Sequence, residues 1–182
     1  KIDLKFSNAA NYLELGYQKE YEEQLIIEEI TPKLKLKIQV GTSESLQYID
    51  SKNLNYDKNL IEIAEIYSDM SDFYKHNLEK NQFSFYFSDT NDHIVVTDSY
   101  EVLNWEILNE QKIINGFTCY KAIGRIEENN MKGSIVKEEI FAWFSPEVSL
   151  NIGPGMYGGL PGLIFEISTT RNTYTLDSIE NN

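Results

Sequence analysis

Hydrophobic and polar positions alternate along most of this chain. In "LKLKIQV", Leu34, Leu36, Ile38 and Val40 alternate with Lys35, Lys37 and Gln39. A period of two is the signature of a strand with one face buried and one in water. "ESLQYID" repeats the pattern after Gly41, and Thr31-Pro32 punctuates the stretch before. Strand patterns recur in "FSFYF" (Phe83 to Phe87), "HIVVT" (His93 to Thr97) and "VLNWEIL" (Val102 to Leu108). "INGFTCYKAIGRIE" holds Asn115-Gly116, a hairpin signal because both residues tolerate positive φ. "SIVKEEIFAWFS" (Ser134 to Ser145) is a strand stopped by Pro146, and "LIFEIST" and "TYTLDSIE" form a closing hairpin around Arg171-Asn172.

Two segments depart from this rhythm. In Asn59 to Lys80, apolar residues Leu60, Ile63, Ile66, Tyr67, Met70, Phe73 and Tyr74 recur at three and four, which predicts a helix interrupted near Ser71-Asp72. "YQKEYEEQLIIEEI", Tyr17 to Ile30, fits both templates; the strand assignment pairs it naturally with the segment that follows. The pattern therefore predicts a mainly β protein of about ten antiparallel strands, a sandwich, barrel or curved sheet, with one helical segment near 59–80. No repeat or linker divides residues 1–182, so the expectation is a single domain.

Composition narrows the function classes. Net charge is −13, so nucleic acid and anionic membrane surfaces are poor partners. Cys119 is the only cysteine, which excludes an intrachain disulfide and a thiolate metal site built from this chain. "KIDLKFSNAANY" lacks the apolar core of a signal peptide, and no stretch approaches the ~20 apolar residues of a spanning helix.

Candidate chemistry is sparse. Cys119 with His76 or His93 is a conceivable nucleophile pair, but the cysteine alternates with Phe117 and Lys121 in mid-strand, as a small core hydrophobe does. "SDTNDH", Ser88 to His93, offers oxygen ligands without the spacing or distal glutamate of a calcium loop. GxSxG, HExxH and CxxC are absent. No catalytic residue, metal or cofactor is assigned. Gly153 to Gly158 spells G-x-G-x-x-G, yet a strand-like run follows where a phosphate loop needs a helix.

The same segment holds five of the ten glycines between Gly153 and Gly162, interspersed with Met156, Tyr157, Leu160, Pro161 and Leu163. Prolines and bulky apolar residues among glycines read as a fixed backbone path, not a flexible tether. Two roles remain open: a plug for the end of a curved sheet, or an exposed apolar lip for a partner or ligand. The lip would comprise Met156, Tyr157, Gly158, Gly159, Leu160, Pro161, Gly162 and Leu163.

"GGLPGLIFEI", Gly158 to Ile167, resembles the GLPGLI (Porph_ging) family of Bacteroidota envelope proteins. "NWEILNEQKIINGFTCYKAIG" (Asn104 to Gly124) and "AWFSPEVSLNIGP" (Ala142 to Pro154) are similar to its other conserved-looking stretches. The resemblance implies an exported protein of the periplasm associated with the outer membrane, and a curved half-barrel like that of lipoprotein carriers. It also implies an accessory role beside TonB-dependent outer-membrane transporters, with no catalytic residues to carry over. The expected function is a non-enzymatic docking protein for such a transporter or barrel assembly. The alternatives are a carrier of a hydrophobic ligand in the concave face, and an envelope hydrolase. Trp105 and Trp143 correspond to the family tryptophans. Strand alternation favours the core for both, while a carrier would use them to line its ligand.

Overall fold

The computed structural model describes residues 1–5, 7–70, 73–89, 92–129 and 135–180, and describes no side chains for residues 86–94, 127–130 and 135–136. Two antiparallel sheets dominate. The five-stranded sheet runs β2 (Lys35–Val40), β3 (Glu44–Asp50), β4 (Tyr74–Asn77), β5 (Gln82–Asp89) and β6 (Asp92–Ser99), in that order. The six-stranded sheet runs β1 (Ile2–Leu4), β11 (Asn172–Thr175), β10 (Leu163–Ser168), β9 (Ile135–Ser145), β8 (Phe117–Asn129) and β7 (Glu106–Ile114). The mainly β expectation holds, with eleven strands among the described residues, and the sheets do not close into a barrel.

Tyr17 to Ile30, assigned above to a strand, is helical: α1 (Ala9–Glu14) is followed by α2 (Gln18–Ile30). The reason lies in which residues need burial. Gln24, Ile27 and Ile30 are buried at a spacing of three, while Tyr17 and Leu25 of the supposed strand face are exposed. The glutamates between them favour a helix over a pleated surface.

The predicted helix near 59–80 is shorter. α3 (Lys58–Tyr67) starts at an Asp57 cap that accepts the Asn59 amide at 2.9 Å. It stops where Asp69 takes a φ of 55°, and the chain re-emerges as β4. Val102 and Leu103, expected in a strand, form a 3-10 turn, and β7 begins only at Glu106. The Asn115-Gly116 hairpin is as expected, with φ of 49° and 85°.

Direct cross-strand neighbours share a face. Ala122, Ala142 and Ile167 lie in one such row of the six-stranded sheet, all fully buried. This inner face packs against Ile27, Ile30, Ala64, Leu103 and Leu160. In the other sheet Gln47, Tyr74, Phe85 and Val96 form the matching row, with Gln47 fully buried. A second cluster gathers Cys119, Ile152, Leu163 and Phe165.

Candidate functional site

The glycine-rich segment between β9 and β10 is a brace inside the molecule. Leu160 is 1% exposed, and Gly158, Gly162 and Leu163 are buried. Met156, Tyr157 and Gly159 are half-buried, and the first two pack against the main core. Pro161 alone of the eight lip residues is exposed.

The brace touches both sheets. The Gly155 amide donates to Gln47 Oε1 at 2.8 Å in the five-stranded sheet. The Trp105 indole N–H donates to the Gly158 carbonyl at 2.7 Å. The ring of Tyr100 lies on Gly158 and Gly159, where a Cβ would stand 2.5 and 2.7 Å from its atoms. Glycine is required there by close approach, not by suppleness. The segment also bonds to itself, Gly159 N–H to the Asn151 carbonyl at 2.9 Å. A strand, β10, follows the G-x-G-x-x-G, so no helix N-terminus faces those amides.

The two tryptophans occupy opposite faces of the six-stranded sheet. Trp105 lies on the inner face against Gly124, whose absent side chain makes room for the indole: a Cβ there would sit 2.8 Å from the ring. Trp143 is paired with Lys121 and Glu166 on the outer face. The Lys112 ammonium sits 4.4 Å from its ring centre and bridges to Glu166 at 2.9 Å. Trp143 is thus half-buried beneath cations. A single concave ligand surface does not contain both rings.

Behind Tyr100 stands His76, fully buried. Its Nδ1 shares a hydrogen bond with the Tyr100 hydroxyl, and its Nε2 and the neighbouring Ser45 Oγ have no partner among the described residues. Burial lowers the imidazole pKa to about 4 and pushes the phenol up. The pair is neutral and sealed. Cys119 is buried in the other sheet, where burial raises its thiol. His76 and Cys119 make no nucleophile pair from different sheets, and the His93 side chain lies outside the described ones, as do the oxygen ligands proposed within Ser88 to His93. Among the described residues no group of acidic, histidine and cysteine side chains is arranged to hold a metal.

The accessible apolar surface is elsewhere. β6 and β7 are the outer strands of their sheets and do not pair with each other. Ile107 faces Ala122, and Tyr120 faces Phe144, so both point to the inner side that is core two strands away. Yet Ile107 is 52% exposed, Ile113 66% and Tyr120 36%. On β6, Val96 of the inner row is 37% exposed. Val102 in the connecting turn is exposed as well. Inner-face residues left in water mark an uncovered apolar face at the edges of the sheets. Scattered outward-facing apolar residues would not. Strand alternation foretold which side these residues take, but not that nothing would cover them.

Residues 125–166 match a family model described as a protein of unknown function, Porph_ging. The match lies over β9, the brace and most of β10, the part of the chain that holds the GLPGLI stretch. The Asn104 to Gly124 stretch lies outside the match. No curated protein matches. A structure of PNGF-II in space group C2 superposes with a TM-score of 0.51 at 13% identity, covering 81% of this chain and 25% of that one. A second PNGF-II structure, in P21, gives 0.49 at 13% identity, covering 80% and 25%. The chain spans about a quarter of those chains. At such identity the first likeness is one of fold.

Proposed function

We propose that this protein is a binding module of the cell envelope, exported to the periplasm. It docks on an outer-membrane transporter or barrel assembly with the parted edge of its two sheets. The observation that carries the reading is the exposure of Ile107, Ile113, Tyr120 and Val96 on inner faces beside two unpaired edge strands. An all-β partner offers strands and apolar side chains of the kind such an edge accepts. The glycine-rich brace ties the two sheets together and does not itself touch the partner. Envelope address and transporter partner are drawn from the family resemblance.

The test is a tagged pull-down from gently solubilised envelopes, wild type beside an Ile107→Lys/Tyr120→Lys double variant. Both positions are exposed, so the variant keeps its fold, checked by circular dichroism. Recovery of an outer-membrane barrel with wild type and its loss with the variant is the expected result. Equal recovery by both sinks the exposed inner-face residues as the contact.

A second reading has its own support. Trp105 is half-buried on the inner face, over Gly124, two residues along β8 from Ala122, which Ile107 faces. An aromatic floor beneath apolar walls also suits a hydrophobic ligand. That carrier role predicts a small hydrophobe retained by the purified protein in native mass spectrometry, and a protein that purifies empty removes it.

A further inference from the structure

A concavity lies between the tip of the β7–β8 hairpin and the segment after β11. Its volume is about 400 Å³. Phe165 forms the floor, 1% exposed, with its ring centre 5.0 Å from that of Phe117. Val148, Leu176 and Ile179 complete the apolar lining. The wall is fixed by specific bonds. The Leu176 amide donates to the Phe165 carbonyl at 2.7 Å, and the Asn115 side-chain amide donates to the Leu176 carbonyl at 2.8 Å. The Asn115 donor is thereby engaged in holding the wall. Among the described residues of the lining, Asp177 is the charged one. The whole molecule adds a field of the same sign, with a net charge of −13.

We infer that this pocket binds a small molecule or side chain with an apolar body and a cationic head. The body lies on Phe117 and Phe165, and the head meets Asp177 at the rim. Size and composition suit this: ligand pockets start near ~300 Å³ and are mostly apolar with few polar groups. The single carboxylate sets the sign of the ligand. A molecule of the same shape with a carboxylate head meets repulsion from Asp177 and from the global charge.

The probe is 4-phenylbutylamine, with 4-phenylbutyrate as its charge-reversed control, titrated into the full chain and followed by methyl NMR. The amine is expected to shift the Val148, Leu176 and Ile179 methyls with a Kd of order millimolar, the range for a ligand of this size. Val148→Trp, at a half-buried position, fills the cavity and removes the shifts. Asp177→Asn weakens the amine about two- to five-fold, as an exposed charge pair does, and high salt reduces the preference in wild type. Melting curves establish that both variants are folded. Absence of methyl shifts at saturating amine overturns the site. Equal binding of the butyrate overturns the cationic assignment, and so does shift retention in folded Val148→Trp overturn the location.

Discussion

His76 gives the molecule one defined response to acid. Its imidazole is buried beside Tyr100 and its pKa falls to about 4 from an ordinary 6.5. Between those values the unfolded chain takes up a proton that the folded chain refuses. Stability contributed by this residue is therefore complete above pH 6.5 and declines as pH falls towards 4, by up to about 3 kcal/mol. Denaturant midpoints at pH 7 and pH 4.5 should separate more for wild type than for His76→Gln; equal separations would mean the imidazole titrates normally. At Gly162 a Cβ would stand 2.1 Å from the Ser145 carbonyl oxygen, a backbone contact that cannot yield cheaply. Gly162→Ala is expected to cost more than the ~1 kcal/mol typical of a point change, read as a lowered urea midpoint. Sequence alone marked these glycines as a fixed path. It offered His76 only as a partner for Cys119 and missed Tyr100, because a lone histidine in a short strand gives no sign of what lies opposite.

At the scale of elements, alternation located most strands because a half-buried sheet imposes a period of two wherever it forms. The exceptions have one cause. Tyr17 and Leu25 made α2 look like a strand because they are apolar, yet they are exposed and Gln24 is buried. A pattern read by hydrophobicity misplaces a segment whose buried face includes glutamine. α3 was over-extended because Met70, Phe73 and Tyr74 continue its spacing after the chain has turned at Asp69. The α3 boundary that was legible rests on its cap: Asp57→Ala should cost about 1 kcal/mol in global stability. Trp105→Phe removes the indole donor to Gly158 while keeping most of the ring, and should cost on the order of 1–3 kcal/mol for the carbonyl left buried. A variant as stable as wild type would show that the bond does not brace the sheet.

For the whole molecule, the two sheets are joined through the brace, chiefly by the Leu160 side chain in the main core and the Gly155 backbone amide on Gln47. Leu160→Ala should cost about 2–5 kcal/mol, and hydrogen exchange should quicken in both sheets together. Quickening confined to one sheet would mean that they unfold independently. The apolar character of the glycine-rich segment was plain from its residues, but whether it faced water was not, since plug and lip share one composition. Burial decides for the plug. The uncovered face was illegible for the converse reason: Ile107 and Tyr120 carry the alternation of core residues, yet both are exposed near the β7 edge of their sheet.

The brace spans Asn151 to Gly162, late in a chain whose five-stranded sheet is complete by Ser99. As the polypeptide emerges from a ribosome or a translocation pore, the strands of that sheet appear well before the residues that clamp it to the other. Until Gly155 and Leu160 arrive, Gln47 and Met70 have no lid, and the early sheet is a waiting half. Ribosome-stalled chains halted with Ser145 as their last exposed residue should be cut readily by protease within β2–β6, and chains released past Ser168 should resist. The order of emergence would make assembly of this protein a single late event, in which the halves snap together around one short stretch of glycine and leucine.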